Sequence, residues 1–210
     1  MAIIVPTILE TTSQSFASKI EQAQNRVHRI QIDVIEKQFR DNQTLLPENW
    51  PPLPTDVHFD IHLMVTKPLE WVDQIISQHS HLIISQIEAL DDQIAFLAKI
   101  KKVGVKAGLA FDVNTPLSKL NLEALSLLDH ILLMAIPVGF AGQKFHSSVL
   151  EKIKEIKSKI PTMEIGIDGG IDLESAEACI KAGADVLNVN SFLWSDFENR
   201  LTQLQELTLK

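Results

Sequence analysis

Short apolar runs with strand character alternate with segments of helical spacing along the whole chain. Alternating units of this kind form parallel β-sheets, because each helix returns the chain to the same edge of the sheet. Eight such units in 210 residues predict a single (β/α)8 TIM barrel that covers residues 1–210, with an open, doubly wound sheet as the alternative. The strand-like runs are residues 2–9, 29–35, 57–65, 81–87, 105–111, 130–134, 164–168 and 186–189.

Helical spacing and helix-start signals fill the intervals between these runs. Pro116 stands where proline favours the first turn of a helix, which predicts a Leu-rich helix over residues 116–128. One helix is predicted over residues 192–207 at the end of the chain. Residues 36–55 are polar and rich in proline, so they predict a long loop after the second strand. The other predicted helices are residues 12–24, 68–78, 91–102, 147–159 and 173–182.

Charge and hydropathy exclude several classes of partner. A formal net charge of −8 without any basic cluster argues against binding to nucleic acid. No apolar run approaches the roughly 20 residues that cross a bilayer, and the N-terminus has no basic region of a signal peptide. We therefore expect a soluble, cytoplasmic protein without a membrane partner. The single cysteine, Cys179, excludes an internal disulfide, and its apolar neighbours predict a buried structural thiol.

Residues 164–171 combine an apolar run, an acid at its end and two glycines that lead into a helix. In parallel α/β proteins ligands lie at the C-terminal ends of strands, where glycines let backbone N–H groups approach an anion. Asp168 is therefore a candidate pocket carboxylate, and Gly169 and Gly170 are a candidate phosphate cradle. The turn alone is weak evidence, because strand-to-helix geometry also explains such turns.

Two further chemically active side chains fall at predicted strand ends, Asp33 in the second strand and His62 in the third. Acidic residues are costly inside an apolar barrel mouth unless a metal, a partner or a substrate compensates them. Together with Asp168 they offer two carboxylates and an imidazole, which suit a divalent ion such as zinc, iron, cobalt or manganese. The alternative is that each side chain caps a helix or binds a loop amide.

Several motifs stand in the order of one known family. They include D-I-H-L-M-V at residues 60–65, G-F-A-G-Q-K-F at residues 139–145 and D-G-G-I at residues 168–171. Over about residues 4–195 the chain resembles the ribulose-phosphate 3-epimerases. The resemblance implies a TIM barrel of the ribulose-phosphate-binding type that acts as an isomerase of carbohydrate metabolism, in the pentose phosphate pathway.

The resemblance also implies a reaction and a set of site residues. The reaction inverts carbon 3 of a pentulose 5-phosphate, converting D-ribulose 5-phosphate to D-xylulose 5-phosphate. Asp33 and Asp168 would transfer the protons and, with His62, hold a divalent metal that stabilises the enediolate. A homodimer or higher homo-oligomer is implied as well. The residues implied for substrate or phosphate binding are Thr7, His62, Gly139, Gly142, Gly169, Gly170, Asn190 and Ser191.

The chain departs from the family pattern within the site itself. Gln31 stands in place of a metal-binding histidine, and it can offer a metal only a neutral carbonyl oxygen. Gln86 replaces a second family histidine, Glu36-Lys37 replaces Asp-Gly, and Asn190 replaces a glycine of the phosphate site.

Two interpretations follow from these departures. The chain is either a divergent epimerase or a degenerate, metal-free barrel that binds a sugar phosphate or a protein partner without turnover. Retention of Asp33 and Asp168 favours the epimerase. A hexulose-phosphate synthase or an orotidylate decarboxylase would need a D-x-K-x-x-D array, which residues 33–37 do not supply.

Overall fold

Eight parallel strands close into a barrel in the order of the sequence, as seen in a computed structural model that describes residues 1–209. The barrel closes where β1 pairs with β8, with Ile3 opposite Val186 and Val5 opposite Asn188. The TIM barrel prediction is confirmed, and the open-sheet alternative is wrong. The strands are β1 (Ile3–Ile8), β2 (Arg29–Ile35), β3 (His58–Met64), β4 (Ser80–Gln86), β5 (Lys106–Phe111), β6 (His130–Met134), β7 (Glu164–Asp168) and β8 (Val186–Val189).

Helices separate most of the strands, and α5 has a clear cap at each end. In α5 the Asp172 carboxylate accepts from the Ser175 backbone N–H, and the Ser175 hydroxyl accepts from Asp172 N–H in return. The same helix ends at Gly183, whose φ of 108° is readily adopted only by glycine. The helices are α1 (Ser13–Ala23), α2 (Pro68–Ile76), α3 (Gln93–Lys101), α4 (Val149–Lys159), α5 (Leu173–Ala182), α6 (Ser191–Trp194) and α7 (Phe197–Thr208).

The prediction of a helix over residues 116–128 is wrong. The segment instead forms two short 3₁₀ turns, Leu117–Lys119 and Leu122–Leu127. The Gln93 side chain binds the carbonyl of Lys119 and the N–H of Asn121, two groups that a continuous helix would pair internally. Because these backbone groups are already bonded to α3, the segment has no continuous ladder of its own.

The single helix predicted over residues 192–207 is also wrong, because the segment divides into α6 and α7. Asp196 lies between them with φ −163° and ψ 78°, which no helix accommodates. The break lets the rings of Trp194 and Phe197 stack at a centroid distance of 5.0 Å. A short separate helix therefore follows β8 directly.

Alternation along the strands divides the apolar core into two parts. Outward side chains pack with the helices in one large cluster, which includes the buried Cys179 of α5. Burial raises the pKa of the Cys179 thiol to about 12, which confirms a structural thiol and makes it a poor nucleophile. Among residues 1–209, no helix is long and apolar enough to span a membrane. The second cluster faces into the barrel and comprises Ile35, Met64, Leu82, Ile84, Ala110, Leu132, Met134 and Val138.

Near the N-terminal ends of the strands, a charged network crosses the barrel. Arg29 of β2 forms an ion pair with Asp60 of β3 and a two-pronged pair with Glu164 of β7, both prongs at 3.0 Å. His130 Nδ1 of β6 lies 2.6 Å from Glu164 Oε2, one of the two oxygens that Arg29 binds. Burial alone would raise the pKa of Glu164, but His130 and Arg29 outweigh it and hold that pKa well below its usual range. The network therefore ties four strands together.

Replacing Glu164 with Gln should lower the free energy of unfolding by about 3 kcal/mol, because buried Arg29 would keep its charge with one partner removed. The matched control is Glu151→Gln, which breaks an exposed pair with Lys154 and should change stability by less than about 0.5 kcal/mol. Urea unfolding at neutral pH measures both. Equal losses in the two variants would contradict a structural role for the network.

Comparison of the parent chain with Glu164→Gln also predicts how stability depends on pH. A carboxyl whose pKa is lower in the folded state than in the unfolded state stabilises the fold above its unfolded-state pKa, here 4.5. This stabilisation is lost as the pH falls from 4.5 toward the lower pKa of the folded state. The stability difference between the parent chain and Glu164→Gln should therefore narrow below pH 4.5. A difference that stays constant down to low pH would show that the carboxylate charge is not what stabilises the network.

Candidate active site at the C-terminal end of the barrel

The three side chains predicted to form the site, those of Asp33, His62 and Asp168, lie together at the C-terminal end of the barrel. Asp33 and His62 are paired in register on adjacent strands, and Asp168 ends β7. One ligand atom from each of the three lies within 4.8 Å of the other two, and all three side chains are buried. His62 Nδ1 is 3.2 Å from Asp33 Oδ1. Two carboxylates and one imidazole thus share one small, buried volume.

Gln31 bridges the two carboxylates from within the barrel. Its amide nitrogen donates to Asp33 Oδ1 at 2.9 Å and to Asp168 Oδ2 at 2.5 Å. The side chain is fully buried, and its own oxygen has no hydrogen-bond partner. On the far side of the imidazole, the Gln86 amide nitrogen lies 2.9 Å from His62 Nε2.

In this cluster two buried carboxylates lie beside an amide and an imidazole. Burial, and next the neighbouring Asp33 carboxylate, raise the pKa of Asp168, while His62 and the Gln31 hydrogen bond oppose the rise only in part. Two buried carboxylates beside neutral amides are costly, and the usual compensation is a cation or a shared proton. The donor set fits a divalent cation, because Asp33, His62 and Asp168 supply two carboxylates and an imidazole within reach of one another.

A pocket of about 200 Å³ opens directly above the cluster. Asp33 and Asp168 are part of its wall, together with Met64 and Met134. Much of the remaining lining comes from the glycine-bearing loops after β6 and β7. Those loop residues are Gly139, Phe140, Ala141, Gly142, Gln143, Gly169, Gly170, Ile171 and Asp172.

The Gly169-Gly170 turn leaves no room for side chains. Gly169 has φ 106°, and a β-carbon there would lie 2.3 Å from Ile136 Cγ1. Gly170 has φ 66°, and its β-carbon would lie 2.7 Å from the backbone nitrogen of Phe145. Both glycines are therefore required by tight packing against the loop after β6, and the same packing leaves their backbone open to the pocket.

Asn190 and Ser191 line the pocket at the end of the neighbouring strand β8, where α6 begins. Asn190 has φ −110°, so it does not use the left-handed conformation that glycine would allow at this position. In TIM barrels, the loops after the seventh and eighth strands and a short extra helix are a frequent phosphate site. The division of the predicted last helix into α6 and α7 creates such a helix here.

Two of the residues predicted to bind the substrate, Thr7 and His62, do not line the pocket. Thr7 is fully buried, lies in register with Gln31, has a hydroxyl without a partner and does not line the pocket. Asn188 was missed, although it is buried, lines the pocket and has an unpaired amide oxygen. The sequence did contain a signal, because Asn188 is the one polar residue in the apolar run of β8.

A strap from the loop after β2 was also missed. The Asn42 amide donates to the Gly139 carbonyl at 2.7 Å, and Arg40 Nε donates to the Val138 carbonyl at 3.2 Å. Thr44 closes the base of the strap, because its hydroxyl donates to the Asp33 carbonyl at 2.8 Å and accepts from Ile35 N–H. The strap holds the loop that covers the pocket.

The fold and the site define a TIM barrel with a buried carboxylate–imidazole centre under a glycine-lined pocket. A model of the ribulose-phosphate 3-epimerase family matches residues 3–194, and this chain belongs to that family. It is 36% identical to the ribulose-phosphate 3-epimerase of Chlamydia muridarum over 83% of this chain and 78% of that protein. It is 31% identical to the ribulose-phosphate 3-epimerase of Bacillus subtilis over 95% of both chains.

Solved structures show how widely the fold is shared. The 3-hexulose-6-phosphate synthase from Salmonella typhimurium superposes with a TM-score of 0.72, covering 100% of this chain and 99% of that one. Its sequence identity is 11%, so this likeness speaks for the fold alone.

Replacing Gly170 with Ala should destabilise the protein more than replacing Gly104 with Ala. Gly104 has φ 79°, and an added β-carbon there would have no other atom within 4 Å, so Gly104→Ala isolates the cost of positive φ, about 1–2 kcal/mol. Gly170→Ala adds the clash with Phe145 N, which should cost about 1–3 kcal/mol more. Denaturant unfolding measures both, and equal losses would show that the turn has room to spare.

Proposed function

We propose that this chain is an epimerase that inverts carbon 3 of a pentulose 5-phosphate, interconverting D-ribulose 5-phosphate and D-xylulose 5-phosphate. The observation that carries the proposal is the pair of buried carboxylates, Asp33 and Asp168, at one pocket of a chain in this family. Inversion at a carbon needs one group to remove a proton from one face and a second group to return a proton to the other face.

The chemistry follows from the position of the reacting carbon. Carbon 3 lies next to the C2 ketone, so its proton becomes removable when the negative charge that spreads onto the substrate oxygens is stabilised. Asp33 and Asp168 approach the pocket from β2 and β7, which are separated by β8 and β1. Burial raises the pKa of Asp168, and a cation bound beside this carboxyl would oppose that rise.

Asp33, His62 and Asp168 would hold a divalent metal, which supplies Lewis-acid stabilisation of the substrate oxygens when it is bound. Zinc, iron, cobalt and manganese are the ions proposed, because each accepts mixed imidazole and carboxylate ligands. The apolar walls formed by Met64 and Met134 exclude water from the reacting carbon.

The phosphate of the substrate is proposed to bind at the glycine-lined wall of the pocket, beside the C-terminal ends of β7 and β8. There the backbone of Gly142, Gly169 and Gly170 meets the start of α6 at Asn190 and Ser191. Backbone N–H groups suit a phosphate, and they hold it without the positive field that this acidic chain lacks.

A degenerate barrel that binds a sugar phosphate without turnover is the weaker alternative, since it gives no reason to keep two buried carboxylates side by side. The cytoplasmic location and the homodimer or higher homo-oligomer implied by the resemblance are part of the proposal. Light scattering of the purified protein tests the oligomer.

Deuterium exchange tests the proposed reaction directly. D-ribulose 5-phosphate in D2O should acquire deuterium at carbon 3 when the protein and zinc, iron, cobalt or manganese are present, as followed by NMR. Asp33→Asn and Asp168→Asn should each lower the exchange rate by at least about 10²-fold, because each removes one acid/base group. Glu206→Gln, an exposed change on α7, is the matched control and should exchange at the parent rate.

Absence of exchange with every metal, in a folded protein, would overturn this reaction. A thermal-shift screen of sugar phosphates would then separate a different ketose substrate from a barrel that binds without catalysis.

A further inference from the structure

Asn188 of β8 is a buried polar side chain that the rest of the protein does not satisfy. It is 2% exposed, and no hydrogen bond joins its amide to another protein group among residues 1–209. Buried amides are normally hydrogen-bonded, because an unpaired amide loses the hydrogen bonds that it makes in water. The natural partner of Asn188 is therefore a group that enters from the pocket, whose wall includes this residue.

The strand directs Asn188 into the barrel. Its neighbours in β8, Leu187 and Val189, belong to the outer core that packs against the helices, so the side chain between them points inward. Asn188 is in register with Asp168 of β7, and neighbouring strands lie about 4.8 Å apart. Both residues line the pocket. The Asn188 amide is thus next to one of the two proposed acid/base groups.

Asn188 is also close to the wall at which the phosphate is proposed to bind. It stands two residues before Asn190, which corresponds to about 6–7 Å along an extended strand. Asn190 and Ser191 form part of that wall, at the start of α6. Asn188 therefore lies between the carboxylate that would transfer a proton and the backbone that would hold the phosphate.

The connectivity of a pentulose 5-phosphate shows which group would meet this amide. In the proposed reaction Asp33 and Asp168 act on carbon 3, and the phosphate is attached to carbon 5. Carbon 4 and its hydroxyl stand between these two points. The oxygens on carbons 2 and 3 carry the developing negative charge and would face the metal. The hydroxyl on carbon 4 is the polar group that remains for Asn188.

We propose that Asn188 binds the carbon 4 hydroxyl of the substrate and determines specificity at that carbon. A hydroxyl both donates and accepts, so it can pair with either end of the amide. A phosphate dianion or a ketone only accepts, and it would leave the amide oxygen without a partner. This role rests on the proposed function, and it adds a residue to the two carboxylates, the histidine and the phosphate wall.

Replacement of Asn188 with Leu separates this role from a structural one. Leucine has the same number and branching of heavy side-chain atoms as asparagine, and it has no hydrogen-bonding group. Because Asn188 has no protein partner to lose, the midpoint of urea unfolding should be no lower in Asn188→Leu than in the parent chain. A lower midpoint in both Asn188→Leu and the shorter Asn188→Val would show that Asn188 stabilises the free barrel, and it would overturn the inference.

Two ligands that cannot react test the contact itself. D-ribitol 5-phosphate keeps the carbon 4 hydroxyl and the phosphate but has no ketone, and its 4-deoxy analogue lacks only that hydroxyl. In the parent chain with zinc present, loss of the hydroxyl should weaken binding by about tenfold or more, because the buried amide is left unpaired. In Asn188→Leu the two ligands should bind within about twofold of each other. Isothermal titration calorimetry measures all four affinities.

An exposed substitution of the same kind is the matched control. Asn25→Leu, in the turn after α1, should keep the parent's preference for the ligand with the hydroxyl. The same preference in Asn188→Leu would overturn the inference, as would a parent chain that does not distinguish the two ligands. A comparable loss of affinity for inorganic phosphate or for zinc in Asn188→Leu would also overturn it, since the amide would then belong to the phosphate or to the metal.

These readouts do not depend on turnover, so they distinguish failure of the Asn188 contact from failure of the proposed reaction. A chain that prefers the hydroxylated ligand through Asn188 but shows no exchange at carbon 3 would keep the contact and lose the epimerase. A chain that exchanges carbon 3 but binds both ligands equally would keep the epimerase and lose the contact.

Discussion

Closure of the barrel through the pairing of β1 with β8 is the constraint on which the rest of the structure depends. Once the sheet closes, every second side chain of each strand must fit inside one narrow interior, and no edge remains for water to solvate polar groups. The middle of that interior is largely apolar, with Leu82, Ile84 and Leu132 among its buried side chains. The ionisable side chains inside are therefore gathered toward the two ends of the strands.

The two ends compensate their charges in different ways. At the N-terminal end, Arg29 stands between Asp60 and Glu164, so positive and negative groups are matched within the chain. At the C-terminal end, Asp33 and Asp168 face amides and an imidazole, with no arginine or lysine contact among the described residues. A matched network stabilises the barrel, whereas the unmatched pair remains available to a cation and a substrate. The charged groups at the N-terminal end of the barrel therefore stabilise the fold, whereas those at the C-terminal end form the candidate active site.

The sequence predicted more of the strands than of the connections, for a physical reason. Inward and outward alternation is local, so it placed Asp33, His62 and Asp168 at strand ends that the barrel brings together. The failed helix over residues 116–128 depended on a distant side chain, since Gln93 takes up its backbone groups. The strap at Asn42 is likewise a contact between two loops, which no periodic pattern reports.

Two departures from the family pattern meet at one cluster. Gln31 and Gln86 both stand where the resemblance expects histidine, and both contact the same cluster, the first through the carboxylates and the second through His62. An amide and a neutral imidazole each offer a donor and an acceptor, but only the imidazole can take up a further proton near neutral pH. Glutamine at both positions therefore gives fewer titrating groups around the carboxylates than histidine would. A barrel that had merely lost its chemistry would have no such reason to retain polar, buried and mutually compatible side chains at these positions.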